Sequence, residues 1–199
     1  MIVAGTRHQI RRADIMPMED YARVRAERRR AIAVLKRHRR LAVGPDATFY
    51  FENYDTMWHQ VHEMLYVERG GEAQIADELT AYNPLVPDGR ELVATLMIEI
   101  EDAERRARVL AALGGIEDAV GLCIDDDCVR AVAETDVERT DASGKTSAVH
   151  FLRFLLDAGL IKALRRPGAR VVVAIDHANY GHMAVMPEAT RLALCGDLD

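Results

Sequence analysis

The chain has 199 residues, is 49% hydrophobic and carries a formal net charge of -6, which suits one domain with a sizeable core. No apolar run reaches the roughly 20 residues that a membrane-spanning helix needs, so no membrane association is expected. The opening MIVAGTRHQIRRAD lacks the apolar centre of a secretory signal, and the expected location is cytoplasmic.

The charge is unevenly spread. Residues 1–40 carry 12 Lys/Arg against 4 Asp/Glu, and the remainder 14 against 28. A basic front on an acidic body is read first as a helix lying against that body, its cations solvated and salt-bridged, and second as a surface for an anionic partner. Three cysteines, Cys123, Cys128 and Cys195, make an odd count without CxxC spacing, which points to free thiols in a reducing compartment. Cys123 and Cys128 stand five apart in a strand-like run. On one strand they would face opposite ways, which argues against a metal pair.

In chain order, residues 6–14 read as a short extended or turn segment. Pro17, with Glu19 and Asp20 behind it, marks a helix start, and the helix is expected over 18–40 with its cationic end at the negative pole of the dipole. Residues 41–46 read as a break. The run 48–52 alternates and leads through a turn into an amphipathic helix from Asp55 or Thr56 to about Arg69. A second helix follows over 72–82, ended by Asn83-Pro84. Residues 91–101 form a half-buried strand, with Leu96, Ile98 and Ile100 opposite Met97, Glu99 and Glu101. A helix over 102–113 comes next, then two short strands around the turn Asp125-Asp126-Asp127, and a polar loop over 134–145. A strand over 147–156, a helix over 157–165, an apolar strand over 170–175, a loop over 176–180 and a last short helix from Pro187 complete the chain. No internal repeat or linker breaks it. The expected architecture is α+β: N-terminal helices on a mostly antiparallel sheet with intervening short helices. It is read as one domain, with a basic helical segment (1–46), a helical unit (47–90) and a sheet-containing part (91–199).

Four constellations carry candidate chemistry. On the central helix His59 and His62 are three apart and His59 and Glu63 four apart, so the three share a face. Joined by Glu52, they are candidate ligands for iron or zinc. The order differs from HExxH because the carboxylate lies beyond the second histidine. Against this stands a hydrogen-bonded or exposed pair without metal. A second group, Glu52, Asn53, Asp55, Gln60 and Glu63 facing Glu99, could do acid–base work or simply cap and cross-link elements. Third, His150 on its strand, with Lys145 and Arg153 nearby, is a candidate base or a satisfied core histidine. GKTS at 144–147 lacks the preceding GxxxxG and is followed by a strand, so it is not a phosphate loop. Fourth, Asp176-His177 closes an apolar strand. No GxSxG or activated Cys completes a triad, and a structural loop is the simpler reading. The provisional catalytic pair is Glu99 and His150.

The segments DI-x5-Y-x3-R, FEN-x-DT-x-W-x-Q-x-x-EML, ELxxYNPLxPxGRELxATLMIEI, GKTSAVHFLRF and DHxxY together resemble the DUF3501 family of bacterial proteins over about 170 of the 199 residues. The family is one of unknown function, so the resemblance implies no reaction. Its relatives are often encoded beside a rubrerythrin-like protein and an iron–sulfur oxidoreductase. By association, that implies an accessory or partner role in an iron-linked redox or peroxide-defence system. Glu52, Asn53, Asp55, Trp58, Gln60, Glu63, Tyr82, Asn83, Glu99, His150 and His177 match the family pattern. His59 and His62 depart from it, and so does Ala178, where the family has proline.

Two functions are therefore carried forward. One is the iron-linked accessory with a His/carboxylate pocket. The other is a non-catalytic interaction module that docks through its basic N-terminal helix on an acidic protein or nucleic acid. Nucleic acid is the less favoured because no aromatic residues stand among the cations. Homo-oligomers are compatible with either.

Overall fold

The computed structural model describes residues 7–134, 139–140 and 144–199, so most of the loop expected over 134–145 lies outside the described residues. A short 3₁₀ turn at Arg12–Asp14 precedes α1 (Met18–Lys36), which opens behind Pro17 with Glu19 and Asp20 at its positive end. The helix stops four residues before the expected position. Arg40–Val43 are instead strand β1, paired through a tight turn with β2 (Ala47–Glu52). Gly44 makes that turn possible. Its φ is +74°, and a Cβ there would lie 2.6 Å from the His182 ring.

Helix α2 (Tyr54–Glu68) begins on a reciprocal cap. The Asn53 side chain accepts from the Thr56 N–H at 3.0 Å, and the Thr56 hydroxyl accepts from the Asn53 N–H at 2.9 Å. Helix α3 (Gly71–Tyr82) leads to β3 (Glu91–Ile98), and Asp102 then caps α4 (Ala103–Ala111). Strands β4 (Val120–Ile124), β5 (Asp127–Arg130), β6 (Val132–Ala133) and β7 (Val149–Leu155) come next. Asp157 caps α5 (Ala158–Arg165), and β8 (Val171–His177), β9 (Tyr180–Val185) and α6 (Glu188–Cys195) complete the chain.

The strands form two antiparallel sheets, ordered β1-β2-β3-β7-β6 and β5-β4-β8-β9. The α+β expectation holds, with two sheets in place of one. Alternate residues of the first sheet (Phe49, Phe51, Leu92, Leu96, Phe154) meet alternate residues of the second (Val120, Leu122, Ile124, Val173, Ile175) in one core. On its other side the first sheet gives Val93 and Phe151 to a second core with Met57, Val61 and Leu65 of α2 and Ile75 of α3. The layers are thus helices, sheet, sheet. Strand β3, expected to be half-buried, is covered on both faces until Met97.

Two features join the sheets. The chain crosses from β5 to β6 at Ala131. On the far side the Tyr180 hydroxyl accepts from the N–H groups of Asp46 and Ala47 and donates to the Val43 carbonyl, each at 2.9 Å. Residues 176–180, expected as a loop, are the end of a β8–β9 hairpin. Strand β9 is an edge strand exposed at most positions, so no apolar alternation announces it.

The cysteine expectation is corrected. Cys123 and Cys128 are not free thiols but a disulfide. The acidic turn folds β5 back on β4, so the two residues are directly paired across the hairpin rather than facing opposite ways on one strand. Cys195 is the one free cysteine. No helix among the described residues is long and apolar enough to cross a membrane.

Candidate functional site

The shared face predicted on α2 is real, and α1 lies against it. Glu63 receives Arg25 at two points, Nε to Oε1 at 2.9 Å and Nη2 to Oε2 at 2.7 Å, and the Tyr21 hydroxyl donates to Oε1 at 2.8 Å. These donors hold the Glu63 carboxyl down at about 2, with Arg25 the main cause. Burial and the neighbouring carboxylate push the Tyr21 phenol well above its ordinary value. With its hydrogen directed to Glu63, the Tyr21 oxygen accepts from His59 Nδ1, 3.3 Å away. Burial lowers the His59 pKa. Tyr21 and Arg25 were absent from the candidate residues, although their four-residue spacing puts them on one face of α1.

His62 is fully buried and both its ring nitrogens are engaged. Nε2 accepts from the Met16 N–H at 3.0 Å, so Nδ1 carries the proton and donates to the Trp58 carbonyl at 2.7 Å. Burial brings its pKa down to about 4, and Trp58 stacks on it with ring centroids 3.8 Å apart. The Trp58 indole N–H donates to the Asp14 carbonyl at 2.8 Å. A neutral imidazole in this state has no lone pair left for a metal.

The remaining candidates lie elsewhere. Glu52 pairs across the sheet with Val93, a residue of the helix-side core, and accepts from the Thr95 hydroxyl at 2.8 Å. His150 pairs with Leu96, which faces the inter-sheet core. Glu52 and His150 therefore project from opposite faces of one sheet. His150 is sealed from solvent, with Nε2 donating to the Ser147 carbonyl at 2.9 Å and Nδ1 lying 3.5 Å from the Glu117 carboxylate. Burial lowers its pKa, against the opposing pull of Glu117. Glu99 is exposed past the end of β3, where the Tyr50 hydroxyl donates to it at 3.0 Å.

Of the candidate residues, only His59 and Glu63 share a hydrogen-bonded cluster. No three His, Cys, Asp or Glu among the described residues are placed to hold a metal ion. Other residues of the family pattern serve the scaffold. Asn53 caps α2, Asn83 grips the Ile10 backbone at 2.8 and 3.0 Å, and His177 lies 3.2 Å from the Gly114 carbonyl.

What remains open is the outward side of α1. Arg29, Arg30 and Arg37 are exposed and make no ion pair among the described residues. Within α1, Arg25–Glu63 is the one ion pair made to another described element, while Arg7, Arg12 and Arg39 of the basic front pair with Asp55, Glu72 and Asp197, so the front is in part salt-bridged to the acidic body as expected. Arg28 lies over the Trp58 ring at 5.2 Å. It borders a cavity of about 180 Å³ whose walls include Ile32, Leu35, Trp58 and His59. Val34, 56% exposed, adds an apolar point to the cationic surface. A second cavity of about 500 Å³, walled by Met16, Ala22, Leu65, Tyr66 and Ile75, opens where α1, α2 and α3 meet, beneath the 2.6 Å Arg12–Glu72 pair.

Comparison with known proteins places this architecture. A crystal structure of a protein of unknown function from Burkholderia pseudomallei K96243 is similar, at 41% identity and a TM-score of 0.89, over 96% of this chain and 100% of the other. No curated protein matches the chain. The family described as "Protein of unknown function (DUF3501)" matches residues 9–198, nearly the whole length, and the chain belongs to that family.

Proposed function

We propose that this protein is a non-catalytic interaction module that docks on an acidic protein surface through the outward face of α1. One observation carries the reading: Arg29 and Arg30 on α1 and Arg37 just past its end stand exposed and make no ion pair among the described residues, while the inner side of the helix is tied down by Tyr21 and Arg25. Cations left free on a rigid element supply steering and orientation for an anionic partner. The groups that could have done acid–base chemistry are otherwise occupied. Glu63 is held at about 2 and is a poor base, and His150 is out of reach of a substrate. Trp58 is one aromatic beside these cations, too few to make a stacking track for nucleic acid. A rubrerythrin-like or iron–sulfur oxidoreductase neighbour, which the family resemblance suggests, is the partner class to try first. In this reading any iron is the partner's.

The test uses polyglutamate as a model acidic surface and duplex DNA as the competitor, both at low salt. Polyglutamate should bind, weaken with ionic strength, and lose about tenfold or more in affinity in an Arg29→Glu/Arg30→Glu/Arg37→Glu variant of unchanged thermal stability. Equal binding by the variant would end the proposal. So would binding of DNA alone.

A further inference from the structure

We propose that the Cys123–Cys128 disulfide is a thiol–disulfide exchange site, and that its reductant is a dithiol protein seated on the outer face of the second sheet against the exposed residues of β9.

The placement follows from strand alternation. Leu122 and Ile124 of β4 point into the core, so Cys123 between them points outward. The register extends the row: Cys128 opposes Cys123, Cys123 opposes Val172, and Val172 opposes Val185. The next row runs Arg130, Gly121, Ala174 and Met183, so Gly121 sets no side chain beside Cys123. Met183 is 73% and Val185 55% exposed, and Cys128 is exposed. Val172 between them is covered, at 8% exposure, so the disulfide and the exposed apolar edge of β9 flank it on one sheet face. Open apolar patches on proteins mark contact sites, and here the patch has a reactive bond beside it.

The bond contributes little to the architecture. It closes a loop of only six residues, a ring that β4–β5 pairing already closes, and β4 is also held by β8. The ladder keeps the two Cα atoms 4.0 Å apart, so the sulfurs stay within bonding reach after reduction. A cross-link that the fold does not need, left exposed and positioned to re-form, suits reversible chemistry. Around the bond, exposed Asp126 and Asp127 are offset by exposed Arg130 of β5, so charge does not by itself select the reductant. The apolar face instead favours a reductant that docks.

The exchange balances as follows. A partner thiolate attacks the Sγ of Cys128, the more exposed residue of the two, and forms a mixed disulfide. The Cys123–Cys128 bond breaks, and Cys123 leaves as a thiolate that takes up a proton. The partner's second thiolate then attacks its own sulfur in the mixed disulfide, and Cys128 leaves and is protonated. Two electrons and two protons have passed to this protein, and the partner dithiol is left as a disulfide.

The full chain, purified without reductant and with free thiols blocked, is treated with reduced thioredoxin, glutathione or dithiothreitol at equal thiol concentration. Reduction is followed by mass spectrometry of the alkylated peptides. Thioredoxin should reduce the pair at least about tenfold faster than glutathione, with the circular dichroism of the protein unchanged. A Met183→Glu variant should slow thioredoxin by about tenfold and leave the dithiothreitol rate as it was. Free thiols at Cys123 and Cys128 in the untreated protein would overturn the proposal, as would resistance to all three reductants or equal thioredoxin rates for the variant and the parent.

Discussion

Arg25 and Glu63 meet in a two-point contact that ties the first helix to the second, with the Tyr21 hydroxyl as a third donor. The tie predicts how stability responds to acid. Glu63 titrates at about 2 in the folded chain, below its ordinary 4.5, so the stability it contributes is complete above 4.5 and is lost as pH falls toward 2. His62 works in the same direction from a higher starting point. Its folded value of about 4 lies below 6.5, so between those limits the unfolded chain takes up a proton that the folded chain refuses. Unfolding midpoints in denaturant should therefore fall steadily from about pH 6.5 downward. Glu63→Gln should be less stable at pH 7 but show a shallower loss below 4.5. A midpoint constant from pH 7 to 4 would contradict this account.

Tyr180 predicts a larger effect at a site far from α1. Its hydroxyl serves two N–H groups and one carbonyl of the β1–β2 turn, all in the interior between the sheets. Tyr180→Phe keeps the ring and leaves those three groups without their partner. At about 1 kcal/mol or more for each, the loss should reach about 3 kcal/mol. Equilibrium denaturation would measure it, and a change below about 0.5 kcal/mol would show that the turn finds other partners.

His150 and Glu117 predict a gain. With the Nε2 proton directed to the Ser147 carbonyl, the bare Nδ1 faces a carboxylate oxygen, and neither atom has a hydrogen bond. Glu117→Gln turns one of the two facing acceptors into a donor. It should raise stability at neutral pH by about 1 kcal/mol, whereas Glu117→Ala should not. Loss of stability in the glutamine variant would mean that the pair is held as an ion pair.

The family-pattern residues show where sequence reasoning succeeds and where it stops. Spacing within one element was enough to put His59 and Glu63 on a common face, and to locate the starts that Asp102 and Asp157 cap, but it set the α2 start at Asp55 or Thr56, where the helix begins at Tyr54 behind the Asn53 cap. It could not show that Glu52 and His150 lie on opposite sides of one sheet, because that depends on the register of β3 against β2 and β7. Nor could it find Arg39 and Asp197, a buried ion pair between residues 158 positions apart.

The amino-acid sequence by itself determined the α+β class, most of the helices and strands, and the polar face of α2. These follow from side-chain periodicity and capping, which act over three to five residues. The tertiary structure alone decided that there are two sheets, that Cys123 meets Cys128, and that Arg25 and Tyr21 satisfy Glu63. It also decided which cations of α1 turn inward, Arg25 to Glu63 and Arg28 over Trp58, and which, as Arg30, stand exposed. Each of these depends on which faces of separate elements are brought together, and that is settled by how a whole core packs.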